Sequence, residues 1–341
     1  MQRNDRRRRI SSSTTRAGTD LFFTWLEDTF GGTLPMQPTE TAVITADQLR
    51  SDDLQRLFHH DATVLHVRNF YPKHSAQELG HQLAQQALQQ QSDGSSSTQK
   101  LKNWKVSTSK GLESSDVFTL GAHLPYNIAV ANEKLDEYHD NVPTELRQRR
   151  RASNDTAKLL WPLDQLRLEL DEAWPHGASL ARNRSGGLPR IMMGPTRWKR
   201  GFVHVDELAP LSTTSGLFSA NIYLRLPHHD STAATETEPE PVLEIWPLDI
   251  RNRFDWYRNA KTLSNLSAQD VEGQVRLRKA LNGSNQQALP IRVHVEPGDL
   301  VLICAQRPHC AIGFDTPGSV RVSLQSFLQY NGDKERLTIE G

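Results

Sequence analysis

The sequence predicts an α+β fold in which a double-stranded β-helix, or jelly roll, forms the core and helices lie before it and within it. Short apolar or alternating runs recur in the second half of the 341-residue chain, and turn residues such as Pro297-Gly298-Asp299 separate them. In the first half, the apolar residues mostly recur at the spacing of a helix. Strands at this spacing are typical of sandwiches and jelly rolls. We therefore expect one domain over residues 20–341, with a helix and strand scaffold in 20–190 and the jelly-roll core in 191–330.

The bulk composition indicates a small-molecule partner. The 40 Lys and Arg residues balance the 40 Asp and Glu residues, so no net field favours nucleic acid or an anionic membrane surface. No apolar run reaches the ~18 residues that a membrane span needs. Only two cysteines occur, Cys304 and Cys310, both in a late apolar stretch. We expect reduced core thiols there, with a disulfide as the alternative.

The N-terminus allows two interpretations. Residues 1–19 are basic and rich in Ser, which is the composition of a disordered, solvated tail and also of organelle transit segments. Asp5 is present and no apolar signal core follows. We expect a cytoplasmic protein, with organelle targeting left open. The oligomeric state leaves no motif in a single sequence.

The spacing of the apolar residues predicts the helices and strands of the first half. We expect a short helix at 20–32, a strand at 62–67, a Gln-rich helix at 75–91, a flexible loop at 92–98 and charged helices from 135 to about 174. The basic run at 147–151 has no interleaved aromatic residues, so it indicates a solvated helix face rather than a nucleic-acid surface. We therefore expect the first half of the chain to form the scaffold of the domain.

The second half contains the predicted strands, at 201–206, 219–226, 242–246, 291–295, 299–304, 309–314 and 320–328. Two insertions interrupt them: an acidic, Pro-rich loop from 228 to 241, and a mainly helical segment from 249 to 288. The mouth of a jelly-roll barrel can house a metal ion.

Three residues in these strands form a candidate metal site. His204 and Asp206 are two residues apart, so in an extended strand both side chains project from one face. His309 follows Asp206 by 103 residues and begins another predicted strand. Two histidines and one carboxylate are the facial triad of non-haem iron(II) oxygenases, which leaves coordination positions open for co-substrate and O₂.

Arg321 and Ser323 are the candidate anchor for an organic co-substrate. The segment after His309 is interpreted as a hairpin that closes around Thr316-Pro317-Gly318, so that Arg321 and Ser323 share a face with His309. The guanidinium fork suits a carboxylate. A two-residue Pro-Gly loop would instead place Arg321 on the opposite face.

At these residues the sequence resembles the iron(II)- and 2-oxoglutarate-dependent oxygenase superfamily. The resemblance covers about residues 190–330: a histidine and an aspartate separated by one residue, then a distal histidine with an arginine 12 residues later. It implies Fe(II), 2-oxoglutarate and O₂ as cofactor and co-substrates. It implies that iron is bound by His204, Asp206 and His309, that Arg321 and Ser323 anchor the distal carboxylate of 2-oxoglutarate, and that Asn221 or Tyr223 provides further contacts.

Two longer sequence segments indicate the class of the substrate. Segments 201–210 and 217–227 are similar to algal enzymes that close the pyrrolidine ring of kainoid amino acids. This similarity implies an N-prenylated glutamate substrate and a place in secondary metabolism. A plain amino-acid hydroxylase with the same motif is one alternative, and a non-catalytic jelly-roll ligand-binding protein is another.

Overall fold

The structure is a computed structural model of the chain, and it describes most of the sequence. The described residues are 12–32, 34–37, 43–92, 100–108, 111–121, 126–157, 159–182, 184–227, 241–266, 270–283 and 289–340.

Helices and strands alternate in the first half of the chain, and strands predominate in the second half. The helices are α1 (Ser12–Phe30), α2 (Ser51–Phe58), α3 (Lys73–Ser92), α4 (Tyr126–Ala131), α5 (Leu135–Ala157), α6 (Pro162–Ala173), α7 (Arg253–Tyr257), α8 (Ala260–Leu263) and α9 (Val271–Asn282), with a short 3-10 helix at Ser264–Leu266. The strands are β1 (Val43–Ala46), β2 (Val64–Val67), β3 (Lys100–Thr108), β4 (Gly111–Gly121), β5 (Ala178–Leu180), β6 (Leu188–Met193), β7 (Gly216–Arg225), β8 (Leu243–Ile245), β9 (Ile291–Val293), β10 (Leu300–Cys304), β11 (His309–Ala311), β12 (Val320–Tyr330) and β13 (Leu337–Glu340).

Two sheets share these strands. The major sheet has the order β1-β2-β10-β7-β12-β6-β4-β3, with β13 and β5 beside β12. The minor sheet has the order β11-β8-β9, and His204 adds the 201–206 segment next to β11 through an isolated antiparallel bridge. From β6 to β12 the chain passes repeatedly between the two sheets, which is the winding of a jelly roll. The predicted fold class is confirmed.

Apolar side chains hold the two sheets face to face. Tyr223, Val301 and Ile303 of the major sheet pack against Leu243 and Val293 of the minor sheet. A second, larger core covers the outer face of the major sheet with α2, α3 and α6, and a third packs the helical insertion on the minor sheet. The side chains of alternate residues point to opposite faces of a strand, so each core strand supplies both an apolar outer face and an inner face.

Most predicted elements are present, with shifted ends. The strand at 62–67, the Gln-rich helix and the helices from 135 onward appear as β2, α3, α5 and α6, and the inserted helices appear as α7–α9. Helix α1 begins at Ser12, before the predicted start. The predicted strand at 201–206 is reduced to the bridge at His204. The loop at 93–98, most of the 228–241 insertion and residues 1–11 lie outside the described residues.

The predicted hairpin after His309 is wrong. Strand β11 pairs with β8 of the minor sheet, whereas β12 pairs with β6 and β7 of the major sheet. The chain between them crosses from one sheet to the other. On the way, its backbone N–H groups donate hydrogen bonds to the 194–199 segment instead of to β12. Gly313 N donates to the Lys199 carbonyl at 3.1 Å, and Phe314 N donates to Thr196 Oγ1 at 2.9 Å. Alternation of apolar residues does not specify which strand becomes the partner.

The strand β3–β4 hairpin was not predicted from the sequence. It extends the major sheet beyond β6, and Val117–Thr119 pair with Met192–Arg190. The Lys residues of β3 have low strand propensity, so the pairing of β3 with β4, and of β4 with β6, decides the conformation of the hairpin.

Both cysteines are free and buried, as predicted, and burial raises the pKa of each thiol to about 11. No helix in the described part of the chain is long and apolar enough to cross a membrane.

A buried carboxylate joins the turn before β10 to the β2 region. Asp299 is 5% exposed; its Oδ2 lies 2.8 Å from His66 Nε2 and accepts a hydrogen bond from Glu296 N, and its Oδ1 accepts one from Asn69 N at 2.8 Å. Burial acts to raise the pKa of Asp299, but the bonds from His66 and the two backbone N–H groups outweigh it and lower that pKa.

We predict that Asp299→Ala lowers the free energy of unfolding by about 2–4 kcal/mol at pH 7, since three donors lose a buried acceptor. A depressed folded-state pKa means that this contribution is present above the unfolded value of about 3.9 and is lost as pH falls through the folded value. Urea unfolding at pH 7 and at pH 3 measures both effects. Asp61→Ala, at an exposed turn, serves as the control, and an equal loss in the two variants would contradict the prediction.

Candidate metal centre and its cavity

A cavity of about 350 Å³ lies between the two sheets. The minor sheet and the adjoining 201–206 segment contribute His204, Asp206 and His309 to its wall. The major sheet contributes polar and charged side chains of its inner face: Arg190, Ser219, Asn221, Tyr223, Arg321, Ser323 and Gln325. Its volume is in the ~300–1,000 Å³ range of small-molecule sites.

Backbone pairing brings the two histidines together. His204 N donates to the His309 carbonyl at 3.0 Å, and His309 N donates to the His204 carbonyl at 2.9 Å. A directly opposed antiparallel pair places both side chains on one face, and the ring centroids lie 4.5 Å apart. Asp206 N donates to the Ala305 carbonyl at 2.9 Å, which fixes the chain two residues further on.

Gly201 makes this pairing possible. Its φ is +66°, and a Cβ atom at this position would lie 2.2 Å from the backbone oxygen of Ala311 on β11. The 201–206 segment therefore approaches β11 at a distance that only glycine permits.

Each imidazole is oriented through its Nδ1 atom. His204 Nδ1 lies 3.1 Å from the Phe202 carbonyl oxygen, and His309 Nδ1 lies 2.8 Å from the Arg307 carbonyl oxygen. A carbonyl oxygen only accepts, so Nδ1 carries a proton in both rings and Nε2 of each ring faces the cavity. Metal-binding histidines are held in this way by backbone carbonyls in many proteins.

The three candidate donor groups converge. Asp206 Oδ1 lies 3.8 Å from His204 Nε2, Asp206 Oδ2 lies 3.4 Å from His309 Nε2, and one donor atom from each residue lies within 4.8 Å of the others. His309 is buried, whereas His204 and Asp206 keep about a quarter of their side-chain surface accessible. Nitrogen and oxygen donors at these separations fit a divalent first-row transition metal.

The electrostatics of the three groups suit such an ion. Burial and the charge of His309 lower the pKa of His204 to about 4, although Asp206 opposes this, so its imidazole is neutral. Burial acts to raise the pKa of Asp206, but the hydrogen bond and charge of His309 outweigh it and lower that pKa. Burial acts to lower the pKa of His309, but Asp206 outweighs it and raises that pKa. Neutral imidazole and ionised carboxylate are the forms that bind metals, so His309 would release its Nε2 proton when an ion binds.

Arg321 lies across the cavity, on the inner face of β12. Its residue is 5% exposed, and its Nη1 donates to the Ile312 carbonyl at 2.7 Å. Nη2 contacts the Met192 sulfur. No carboxylate of the described residues forms an ion pair with it, and burial lowers the pKa of its guanidinium. A buried cation without a counter-ion is costly, so this position suits an anionic ligand.

The other predicted contact residues line the same cavity. Ser323 is two residues from Arg321 on β12 and is paired with Tyr223 on β7. Burial raises the pKa of Tyr223 to about 12, so its hydroxyl stays protonated. Asn221 Nδ2 donates to Ser219 Oγ at 3.1 Å, and Gln325 Nε2 donates to the same oxygen at 2.9 Å. The assignment of these residues to an iron and co-substrate site stays a prediction.

The sequence did not predict that Arg190 and Trp104 lie together in the cavity. Arg190 stacks on the ring of Trp104, with its Cζ atom 3.5 Å from the ring centroid. Arg190 was not predicted as a site residue, because the β3–β4 hairpin that brings Trp104 to it was not predicted. Its alternation with Met192 on β6 was the available signal of an inward position.

Comparisons with known proteins gave matches among solved structures alone. Neither the family models nor the curated proteins matched the chain. An N-substituted L-amino acid dioxygenase from Burkholderia ambifaria AMMD, solved in complex with alpha-KG, is 12% identical, with 85% of this chain and 90% of that chain covered and a TM-score of 0.40. The non-heme alpha ketoglutarate dependent carbocyclase SnoK from nogalamycin biosynthesis is 14% identical, with 83% and 87% covered and a TM-score of 0.35.

A Pseudomonas putida prolyl-4-hydroxylase is 12% identical, with 79% of this chain and 92% of that chain covered and a TM-score of 0.31. Because these similarities are low, the fold assignment depends on the chain's own strand order, and any activity depends on its own side chains.

We predict that Gly201→Ala lowers the free energy of unfolding by about 3 kcal/mol or more, because it combines a positive φ with a clash against backbone. Gly318→Ala is the matched control: its φ is +74°, but nothing lies within 4 Å of the added Cβ. That variant should lose only about 1 kcal/mol. Thermal or urea unfolding of both variants measures the difference, and equal losses would show that the approach to β11 is not constrained.

Proposed function

We propose that this chain is an Fe(II)- and 2-oxoglutarate-dependent oxygenase that acts on a small molecule derived from an amino acid. One observation carries the proposal: a triad of two imidazoles and a carboxylate faces, within one cavity, a buried guanidinium that lacks a carboxylate partner among the described residues. A metal ion and an organic diacid together satisfy both halves of this arrangement. A non-catalytic binding protein does not require both a metal-binding triad and a buried guanidinium in one cavity.

His204, Asp206 and His309 would bind the metal. Two nitrogen donors and one oxygen donor on one side of an ion leave the opposite side free for other ligands, which suits Fe(II) in oxygenases. The carbonyl groups of Phe202 and Arg307 fix both rings before any ion binds, so the site is preorganised.

Arg321 and Ser323 would bind the distal carboxylate of 2-oxoglutarate, with Asn221 and Tyr223 as further hydrogen-bonding groups. A carboxylate would give the Arg321 guanidinium the counter-ion that it lacks, and the planar fork can form two parallel hydrogen bonds to it. The protonated Tyr223 hydroxyl can donate to the same oxygen atoms. Apolar neighbours such as Ile303 and Leu243 exclude water from this end of the cavity.

When bound, Fe(II) and 2-oxoglutarate supply, with O₂, an oxidant that removes a hydrogen atom from a substrate C–H bond. The chain's own residues hold and orient the reactants. Strands β11 and β12, together with the backbone bridge at His204, fix the distance between the triad and Arg321, and such positioning accounts for a large part of catalysis.

For the substrate we propose an N-prenylated glutamate, cyclised to a kainoid pyrrolidine. The similarity of segments 201–210 and 217–227 to algal kainoid synthases supports this proposal. The reaction balances when the substrate loses two hydrogen atoms while 2-oxoglutarate and O₂ become succinate, CO₂ and water. An amino-acid hydroxylase would instead add one oxygen atom to its substrate, so the mass of the product distinguishes the two.

The proposal is tested by anaerobic titration of metal-stripped protein with Fe(II) and then 2-oxoglutarate, recording the weak visible charge-transfer band of the chelate. We predict that the wild-type chain forms the band and that Asp206→Ala abolishes it together with succinate release, because the variant loses an anionic ligand. Asp315→Ala, which removes an exposed carboxylate paired with Lys199, is the control and should behave as wild type. A folded wild-type protein without the band would favour the non-catalytic ligand-binding protein.

We predict that Arg321→Gln raises the apparent KM for 2-oxoglutarate about 30-fold or more while the affinity for Fe(II) changes less than about 3-fold, since truncation of one partner of a buried charge pair costs about 2 kcal/mol or more. Steady-state succinate release and metal titration give the two constants. Arg292→Gln, at a mostly exposed arginine of β9, is the matched control. If the two constants changed equally, Arg321 would be a structural residue of the sheet.

A further inference from the structure

A second guanidinium in the cavity has no role in the proposed metal and co-substrate sites. Arg190 lies on the inner face of β6, between Thr119 of β4 and Ser323 of β12 in the register of the sheet. Because Arg321 is paired with Met192, Arg190 and Arg321 are diagonal neighbours on adjacent strands. Their Cα atoms are therefore about 7–8 Å apart, and their side chains share one face.

The Arg190 side chain is held by an aromatic ring. Its Cζ atom lies 3.5 Å from the centroid of Trp104, and Trp104 Nε1 donates to Thr119 Oγ1 at 2.5 Å. Thr119 is fully buried and is paired with Arg190, so the hydrogen bond anchors the ring on the face of the sheet that carries Arg190. A guanidinium stacked on a ring keeps its N–H groups in its own plane, directed away from the ring face. Those N–H groups are free for a planar anion.

In the part of the chain that the structure describes, no protein group uses these donors. The Arg190 Nε atom is buried without a hydrogen-bond partner, and in the described part of the chain the side chain forms no ion pair or hydrogen bond. Burial lowers the pKa of Arg190 to about 9, although the charge of Asp206 opposes this, so the group remains a cation at neutral pH. Buried polar groups without partners are rare in proteins and call for a ligand.

Neighbouring cations outside the cavity differ in this respect. Arg197 pairs with Glu113 at 2.5 Å, and Lys199 pairs with Asp315 at 2.8 Å. Both belong to the segment that follows β6. The unpartnered state of Arg190 is therefore a property of its place in the cavity and not of this region of the surface.

Arg190 lies on the open side of the cavity. Lys105, which follows Trp104 on β3, is exposed and also lines the cavity, so the β3–β4 hairpin borders the mouth. Arg190 is on β6, the strand that pairs with this hairpin, whereas Arg321 is on β12, one strand further from it.

We propose that Arg190, stacked on Trp104, binds a carboxylate of the organic substrate and is a specificity-determining residue for acidic amino-acid derivatives. This inference rests on the proposed function, in which Arg321 takes the distal carboxylate of 2-oxoglutarate. The two guanidiniums then bind two different anions side by side, one from each reactant, and hold the substrate carbon skeleton over the triad.

Anaerobic calorimetry tests the assignment with N-prenyl-L-glutamate as probe and protein loaded with Fe(II) and 2-oxoglutarate. We predict that Arg190→Gln binds the probe about 30-fold or more weakly than wild type, because the carboxylate loses a charged partner in a desolvated site. Arg190→Lys, which keeps the charge, should lose less. Arg197→Gln removes a nearby arginine that does not line the cavity and should change the affinity less than about 2-fold.

The two monoamides of the probe identify the carboxylate. For wild type, amidation of the carboxylate that Arg190 contacts should weaken binding about 30-fold, and in Arg190→Gln the acid and that amide should bind within about 2-fold of each other. Loss of discrimination in the variant is a result that simple disturbance of the sheet would not produce.

The alternative outcomes are distinct. If Arg190→Gln raises the Kd for 2-oxoglutarate instead of that for the probe, both arginines bind the co-substrate and the inference fails. Unchanged probe affinity in the variant, or no probe binding by wild-type protein that shows the charge-transfer band, also overturns it. Absence of the band in wild type is a failure of the proposed function itself.

Discussion

The candidate site depends on one pair of backbone hydrogen bonds, those that His204 and His309 exchange. The 201–206 segment is not a continuous strand, so among the described residues its backbone pairing with β11 consists of this bridge. With the bridge formed, the two rings lie 4.5 Å apart and Asp206 reaches both of them. Gly201 allows the approach, and the carbonyls of residues 202 and 307 set the rings. The main chain thus determines the geometry before any ligand is present.

The two sheets have opposite electrostatic roles. The minor sheet and its bridge present a carboxylate and two imidazoles, whereas the major sheet presents the guanidiniums of Arg190 and Arg321. Both cations lie in the cavity, where burial destabilises the charged form and lowers the pKa of each guanidinium. Such groups reduce the stability of the empty protein, and cores packed on both outer faces of the sheets offset the loss.

The sequence predicted the fold class because the fold class depends on local period. It predicted Arg321 and Ser323 as site residues through the assumed hairpin with His309, and Asn221 or Tyr223 through the family resemblance. Pairing could not be predicted in the same way, because the turn after β11 offers both a hairpin and a crossing. The hairpin interpretation was wrong, yet Arg321 and Ser323 still share a face, since the period of two along β12 holds for either partner.

Arg190 shows the limit of such reasoning and also what the topology adds. Its strand, β6, is bordered on one side by β12, which carries the proposed co-substrate anchor, and on the other by β4, whose hairpin brings Trp104. A site for a second anion therefore arises beside the first by the addition of strands to the edge of the jelly roll. An anionic group held there has its neighbouring atoms directed towards the opposite wall, because the cation wall and the triad wall face each other. The charge separation between the two sheets would in this way orient a substrate before it reacts, and the edge hairpin would set which acids are accepted.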